Sequence, residues 1–386
     1  ANDVRYSQAQ SLMAAKKFAD AEKLLCGLVK KTKDTDRRLA AKASQSIAVS
    51  RQDRSGEALK LIDDLDVSAL PAAMRDAIRY ERAWCLKQVG RTDDAMTAYR
   101  DLIDGDSAIP ANPHALLELA VMEDEAGHRK KASELYRRAK DAASHTGDAP
   151  MADVAEQASY RLGVCEFEQG NFADAAAHLE KFIKEHSGSK MAQSAHALCG
   201  ESLFKLNRHA AAAEHFQVVI DKDAADSGIA GALLRMGECQ SALQRWAIGE
   251  KHFADYLKRF PEAENAFQAA FGLAWCQENQ GQLDEAVKGY RRVIEMHQGP
   301  TAARAQFQIG ECLFAGKKYE DAARELMTVD ILYAYPEWSA AALYEAGRCF
   351  AKLSRHVEAR RQFELVSKKY ADTRWAALAA EQLREL

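Results

Sequence analysis

A small residue recurs along this chain at an almost constant interval. It is alanine or glycine at ten positions: Ala21, Ala58, Ala95, Ala132, Ala175, Ala212, Gly249, Ala286, Ala322 and Ala359. The successive gaps are 37, 37, 37, 43, 37, 37, 37, 36 and 37 residues. A period of this length is typical of repeat proteins, in which stacked supersecondary units bury one continuous core. The sequence therefore predicts ten stacked repeats, with one insertion and one deletion.

Each repeat is predicted to form two helices joined by a tight turn, as residues 269–300 show. One side of the first helix carries Phe271, Ala274, Trp275 and Glu278, and the buried face of the second carries Leu283, Ala286, Tyr290, Val293 and Ile294. Gly281 separates the two patterns, where a residue free to adopt positive φ ends a helix. Neither helix buries its apolar stripe alone, so each pair must pack on a neighbouring pair.

Two further positions keep their character in every repeat. Four residues after the small residue, the side chain is apolar or aromatic: Leu25, Ile62, Tyr99, Tyr136, Leu179, Phe216, Phe253, Tyr290, Leu326 and Phe363. Twelve residues before it the side chain is small, and glycine is the commonest choice: Gly163, Gly200, Gly237, Gly310 and Gly347. Small residues at both positions let two helix backbones approach closely, as tight stacking requires.

The order of these positions resembles the tetratricopeptide repeat: a large residue and Leu-Gly, a turn Gly or Asn, then Ala and an aromatic residue. The resemblance covers residues 3–370 and implies an all-α solenoid of helix-turn-helix repeats wound as a right-handed superhelix. The period is three residues longer than the usual length of about 34, and Pro261, Pro300 and Pro336 place the extra length at the end of the second helix. The strings GECLF and GVCEF are similar to bacterial cell-envelope members, such as the Tol-Pal-associated coordinator and the outer-membrane barrel assembly lipoprotein.

Composition and charge limit the classes of partner. Hydrophobic residues make up 47% of the chain, charged residues 28%, and there are only seven prolines, which fits a long helical core. The net charge is −4 with both signs interspersed, so nucleic acid is not an expected partner. No apolar run approaches the length of a membrane span, so direct membrane insertion is not expected either.

The longest gap between repeats predicts the main division of the chain. It contains six extra residues (43 minus 37) within 140–150, a small polar stretch with Gly147 and Pro150. Such a stretch favours a longer loop, and a hinge within 140–153 is one interpretation. We therefore predict an N-terminal array of repeats 1 to 4 (1–147), a C-terminal array of repeats 5 to 10 (148–373) and a capping helix (374–386).

Six of the eight cysteines occupy one slot of the first helix: Cys85, Cys165, Cys239, Cys276, Cys312 and Cys349. Equivalent slots of neighbouring repeats lie about 8–10 Å apart, which is too far for an easy disulfide. Slots spread along a solenoid do not converge on one metal ion. We interpret these cysteines as small apolar core residues, and expect no metal or cofactor.

Two observations favour different compartments. The chain begins at Ala1 without methionine, and Ala-Asn-Asp suits the residues after a signal-peptide cleavage site as well as a trimmed end. Together with the envelope resemblance, this favours the periplasm or cell envelope. Eight unpaired thiols instead favour a reducing compartment such as the cytoplasm. The sequence leaves both open.

The sequence lacks the common catalytic motifs. It contains no His-Glu-x-x-His, no Gly-x-Ser-x-Gly and no Gly-x-Gly-x-x-Gly pattern. Residues 310–317 imitate a phosphate-binding loop, but the second glycine comes one residue late and Lys318 replaces the Ser or Thr that would hold magnesium. We therefore expect no enzymatic activity from this chain.

Members of the tetratricopeptide family usually bind ligands in a concave groove lined by the first helices. The resemblance places groove positions at Tyr80, Trp84 and Lys87 in repeat 3; Tyr160 and Phe167 in repeat 5; Glu201, Phe204 and Lys205 in repeat 6; Phe271 and Trp275 in repeat 8; Phe307, Glu311 and Phe314 in repeat 9; and Tyr344 and Arg348 in repeat 10. The first residue named in repeats 3, 5, 8, 9 and 10 occupies a slot that is aromatic or Leu in most repeats, so packing is the favoured interpretation there. Trp84 and Trp275 occupy a slot that no packing rule reserves for an indole, and partner contact and packing are equally favoured.

These observations predict a non-enzymatic scaffold or adaptor that binds a protein or peptide segment along its concave face. The Lys and Asn residues with which some family members clamp a C-terminal carboxylate are absent, so chaperone-tail binding is not expected. Two alternatives stay open. One is a structural subunit of a large multi-protein complex, and the other is a regulatory arm of an enzyme whose catalytic domain lies outside these 386 residues.

Overall fold

The computed structural model describes residues 2–105, 112–144, 149–222 and 227–386, and this part of the chain is helical without strands. Its helices follow one another in pairs, with a single helix at the end. They are α1 (Asn2–Ala14) with α2 (Phe18–Lys31), α3 (Thr35–Ser50) with α4 (Ser55–Asp63), α5 (Ala72–Gln88) with α6 (Thr92–Asp104), α7 (Pro113–Glu125) with α8 (Arg129–Ser144), α9 (Ala149–Glu168) with α10 (Phe172–Glu185), α11 (Ala192–Lys205) with α12 (His209–Asp221), α13 (Ser227–Ala242) with α14 (Trp246–Arg259), α15 (Ala266–Asn279) with α16 (Leu283–Met296), α17 (Pro300–Ala315) with α18 (Tyr319–Leu332), α19 (Pro336–Lys352) with α20 (His356–Lys369), and α21 (Arg374–Glu385). None of these helices combines the length and the apolar character needed to cross a bilayer.

The helices form two compact units, residues 1–195 and 196–386. In the first unit, Tyr99 and Tyr136 are the largest fully buried side chains of an apolar cluster that extends from α3 to α9. In the second unit, Phe253 and Tyr290 belong to one apolar cluster and Phe363 to another. Each unit is therefore an array of helix-turn-helix repeats with its own core, as the sequence predicted for the fold class.

The division predicted at 147/148 falls on residues 145–148, which lie outside the described residues. The helices on either side, α8 and α9, pack on each other. Ala143 of α8 and Val154 of α9 belong to the same apolar cluster. The predicted arrays 1–147 and 148–373, and a hinge within 140–153, stay predictions.

The turn between the two helices of each pair contains one residue in left-handed backbone. These residues have φ between 57° and 80°: Lys16, Asp53, Gly90, Gly127, Gly170, Asn207, Gln244, Gly281, Lys317 and Ser354. After α15, the Gly281 N–H donates to the Glu278 carbonyl oxygen and the Gln282 N–H to that of Gln277, both at 2.9 Å. Six of the turns use a residue with a side chain, although left-handed backbone costs such a residue about 1–2 kcal/mol. The left-handed conformation of the turn residue is therefore set by its position in the repeat and not by its residue type.

The recurring small residues bring the two helices of a pair into close contact. A methyl group added at Gly200 would lie 2.8 Å from the ring of Phe216, and one added at Gly163 would lie 2.7 Å from Leu179. In both repeats, the glycine is the small residue of the first helix and its contact is the apolar residue of the second. The close approach predicted from the spacing is therefore present.

The last helix covers the end of the second unit. Helix α21 packs on α19 and α20, and its Leu383 contacts the apolar cluster that contains Phe363. This is the arrangement expected of a capping helix, because the exposed end of a repeat array must be shielded from water.

Candidate functional site

A groove runs along the first helices of repeats 7 to 9 in the second unit. It is lined by Glu238 and Ser241 of α13, Phe271 and Trp275 of α15, and Thr301 and Arg304 of α17. We call it the α15 groove. Two predicted groove residues, Phe271 and Trp275, lie in it four residues apart, on one face of α15. Both side chains are half-buried, so the groove presents aromatic surface to solvent.

Arg304 lies over both aromatic rings of the α15 groove. Its guanidinium carbon is 4.6 Å from the ring centre of Phe271 and 5.5 Å from that of Trp275, within the range of cation–π attraction. Arg304 is exposed, and among the described residues no carboxylate lies within ion-pair distance of it. The sequence reasoning missed Arg304. The signal was its position two helical turns before Glu311, which puts both residues on one face of α17.

Arg235, on the neighbouring α13, also lies over an aromatic ring, but two carboxylates neutralise it. Its guanidinium carbon is 4.8 Å from the ring centre of Phe204. The same group donates to Glu201 Oε1 and to Glu238 Oε2, each at 2.7 Å. The predicted groove residues Glu201 and Phe204 are therefore held together by one arginine from the next repeat.

Glu311 is a half-buried carboxyl group in the same array of first helices. Its Oε1 atom is buried and has no hydrogen-bond partner among the described residues. Burial, and after it the nearby Glu345 carboxylate, raise the pKa of Glu311 to about 7, although Arg348 opposes the change. Arg348 donates to Glu345 Oε2 at 2.7 Å and lies 5.0 Å from the ring centre of Phe314. At neutral pH, Glu311 can hold a proton or accept a hydrogen bond from a ligand.

Most of the predicted aromatic groove residues also contact the core. In four repeats the ring packs on a buried ring of the second helix: Tyr80 on Tyr99 (5.8 Å between ring centres), Tyr160 on Phe182 (5.6 Å), Phe271 on Tyr290 (5.2 Å) and Tyr344 on Phe363 (5.6 Å). Phe307 is itself buried and lies 5.5 Å from the ring centre of Trp338. These contacts agree with the packing interpretation of this slot.

The remaining predicted groove residues are Phe167, Lys205, Trp84 and Lys87. Phe167 packs on Phe172 at 5.5 Å between ring centres, and Lys205 is exposed. Trp84 is half-buried in the first unit, with Lys87 Nζ 6.0 Å from its ring centre. Lys87 also donates to Glu118 Oε2 at 2.7 Å. The cation beside Trp84 is therefore ion-paired, unlike the one beside Trp275.

The six cysteines predicted to belong to the core are all buried free thiols. Burial raises the pKa of Cys165 to about 11 and the pKa of Cys239 and Cys349 to about 12. A thiol of this kind rarely ionises at neutral pH, which makes it a poor nucleophile and a poor metal ligand.

Two models of known protein families match the chain, and both describe the tetratricopeptide repeat. A family model for the tetratricopeptide repeat matches residues 80–145, 152–190, 160–227, 232–295 and 277–329. A second model with the same description matches residues 341–373. No curated protein matches the chain.

Several solved structures have a similar backbone fold, and three of them differ in sequence identity, coverage and TM-score. The apo form of RapI has 10% sequence identity, with 94% of this chain and 98% of that chain covered, at a TM-score of 0.49. A tetratricopeptide repeat protein from Parabacteroides merdae has 16% identity, with 70% and 97% covered, at 0.44. YrrB, described as a tetratricopeptide repeat protein with an unusual peptide-binding site, has 19% identity, with 53% and 97% covered, at 0.41. Likeness at this level carries no inference about a ligand or a compartment, and the envelope resemblance stays a prediction.

Proposed function

The chain belongs to the tetratricopeptide repeat family, and we propose that it is a non-enzymatic scaffold or adaptor that binds a segment of a partner polypeptide along its first helices. Repeat arrays offer extended surfaces of this kind to their partners. The observation that carries the proposal is Trp275, a large indole left half-exposed in the α15 groove. Tryptophan in such a position is among the commonest anchors of binding energy.

The proposed contacts are the predicted groove residues that keep accessible surface. They are, in the first unit, Tyr80, Trp84, Lys87, Tyr160 and Phe167 and, in the second, Glu201, Phe204, Lys205, Phe271, Trp275, Glu311, Phe314, Tyr344 and Arg348. Among them, the rings that pack on the second helices form the floor of the contact surface, because one face of each is already occupied by the core. Phe307 is buried and is assigned to the floor.

The absence of enzymatic activity is part of the proposal. The tetratricopeptide repeat typically serves as a non-catalytic interaction module, and this supports a binding role for the chain. The structural-subunit and enzyme-arm alternatives stay predictions, since neither has an observation of its own in the described residues.

Selection from a random peptide display library on the immobilised chain tests the proposal. The strongest peptides are then synthesised, and their affinity is measured for the wild type and for Trp275→Ala. We expect the variant to lose about tenfold or more in affinity, as the removal of an anchor residue does.

Trp246→Ala is the matched control, because Trp246 is also a half-buried tryptophan of the second unit but lies on a second helix, α14. Its affinity for the same peptides should equal that of the wild type. Both variants are checked for unchanged helical content by circular dichroism. A library that yields no binder, or an equal loss in both variants, would contradict peptide binding at the α15 groove.

A further inference from the structure

We infer that Arg304 selects partner segments in which an internal Asp or Glu side chain lies close to the apolar residue held on Trp275. This inference rests on the proposed function, since it assigns the partner chemistry of the same α15 groove.

Two aromatic rings of α15 hold the guanidinium of Arg304. The guanidinium carbon of Arg304 lies 4.6 Å from the ring centre of Phe271 and 5.5 Å from that of Trp275. A guanidinium has five N–H donors, and all of them lie in its plane. Contact with the rings does not hydrogen-bond these donors, and no acceptor among the described residues engages them. Arg304 therefore presents hydrogen-bond donors that are free to bind a partner at the α15 groove.

Two other arginines of the same unit differ from Arg304 in their charge environment. Arg235 and Arg348 also lie over aromatic rings, and each is neutralised, Arg235 by Glu201 and Glu238 and Arg348 by Glu345. Arg304 has no such carboxylate among the described residues. Among the described residues, Glu238 is the carboxylate that lines the same groove, and it already accepts from Arg235 at 2.7 Å. The charge of Arg304 is thus the uncompensated one at this groove.

The hydrogen-bond acceptor that best fits Arg304 is a carboxylate. A carboxylate matches the edge of a guanidinium with two parallel hydrogen bonds, and this pairing is stronger than a neutral hydrogen bond. The partner carboxylate must also be near the anchor. Because Trp275 and Arg304 are in contact, and an extended segment advances about 3.3 Å per residue, the acidic residue falls within about three residues of the apolar one.

The position of Arg304 in the array of first helices favours a carboxylate inside the partner sequence. Within the second unit, Arg304 on α17 has first helices on both sides, with α13 and α15 before it and α19 after it. A segment bound across Arg304 therefore meets protein in both directions. A chain end is not required there, and the carboxylate is assigned to a side chain.

A charge-reversal selection tests the inference on the whole chain. The same random peptide library is selected on the wild type, on Arg304→Glu and on Arg292→Glu. Arg292 is an exposed arginine on the second helix α16, so it is a matched control for the added negative charge. We expect wild-type peptides to be enriched in Asp and Glu within three residues of an apolar residue, Arg304→Glu to enrich Lys and Arg instead, and Arg292→Glu to leave the acidic preference unchanged.

Synthetic versions of one selected peptide then separate the sources of the carboxylate. Replacing its internal acid by the amide should lower wild-type affinity about tenfold, which corresponds to one charged hydrogen-bonded pair. The same replacement should have little effect with Arg304→Gln, because the pair is already lost. Amidation of the peptide C-terminus should leave affinity unchanged.

The outcomes distinguish this inference from the proposed function. If peptides bind and Trp275→Ala abolishes binding, but Arg304→Glu keeps the wild-type preference, the inference is overturned and the scaffold proposal stands. Loss of binding on C-terminal amidation overturns the assignment to an internal side chain. If no peptide is enriched on the wild type, the proposed function itself fails.

Discussion

A methyl group on Gly237 would lie 2.6 Å from the ring of Phe253, closer than two carbon atoms can pack. The same ring is approached from the next repeat by Gly272, where an added methyl group would also overlap it. Phe253 is fully buried in the second unit. The ring of Phe253 therefore fits only because Gly237 of α13 and Gly272 of α15 carry no side chain.

Gly237→Ala is expected to lower the free energy of unfolding by about 1–3 kcal/mol, because an extra carbon in a tightly packed contact forces the ring or the backbone to move. Urea denaturation, with hydrogen exchange of α13 and α14 to localise the effect, measures this. Gly231 is the control, since it lies on the same helix with nothing within 4 Å of an added methyl group. Gly231→Ala should stabilise the protein by about 0.5–1 kcal/mol. Equal effects at the two positions would show that packing on Phe253 is not the cause.

The left-handed turns predict a stabilising substitution. Gln244 has φ of 57° at the point of the repeat where Gly281 has 76°. Gln244→Gly should raise the free energy of unfolding by up to about 1 kcal/mol, because it removes the steric cost of a side chain in this conformation. Gly281→Ala should lower it by a similar amount. Thermal unfolding of both variants gives the comparison, and a loss of stability in Gln244→Gly would contradict the strain assigned to this turn.

Glu311 predicts a pH dependence with a defined sign. Its pKa is raised from 4.5 to about 7 in the folded chain, so its contribution to stability is complete below about pH 4.5 and is lost as pH rises through 7. Glu311→Gln mimics the protonated form. It should be more stable than the wild type at pH 8 by about 1–3 kcal/mol, and this difference should vanish near pH 4.5.

Glu358 is a control of opposite sign. A hydrogen bond from Arg355 lowers the pKa of Glu358, so its contribution is present above its unfolded pKa and is lost as pH falls. Glu358→Gln should therefore be less stable than the wild type at pH 8, with a difference that shrinks in acid. Parallel pH curves for the two variants would contradict the assignment at Glu311.

Thiol labelling tests the burial of the cysteines. Cys26 is half-buried, whereas the other seven cysteines are buried. Iodoacetamide at neutral pH should label Cys26 first. Cys239 and Cys349 should react at least about a hundredfold more slowly than an ordinary thiol, because each unit of raised pKa lowers the thiolate fraction about tenfold. Mass spectrometry of labelled peptides over time gives the rates, and rapid labelling of Cys239 in the folded protein would contradict its burial.

The fold was predictable because its determinants repeat at short range. The turn at Gln244 illustrates this, since glutamine is not a turn residue and only its register with Gly281 predicts the conformation. The contact between Gly200 and Phe216 was likewise implied by two small-and-large slots 16 residues apart in one helix pair. When ten copies of one pattern are compared, an atypical residue in one copy does not change the structure predicted for that copy.

The candidate site was less predictable because it depends on how neighbouring repeats pack. The family resemblance placed Trp275 at a groove position, and its unusual slot left partner contact and packing equally favoured. Arg304 was missed, because its contact with Phe271 and Trp275 joins α17 to α15 across two repeats. The raised pKa of Glu311 likewise depends on Glu345, which is 34 residues further along the chain. Properties that arise between repeats need the packing geometry as well as the pattern.

The first helices α13, α15, α17 and α19 follow one another in the chain, one in each repeat. A polypeptide segment that lies across them would therefore contact one helix at each regular interval. Successive helices in such packing are about 8–10 Å apart, and an extended polypeptide advances about 3.3 Å per residue. One helix spacing thus corresponds to about three residues of a bound segment. A partner segment that touches several repeats would therefore contact them with about every third residue, and the residues between those contacts are free to vary.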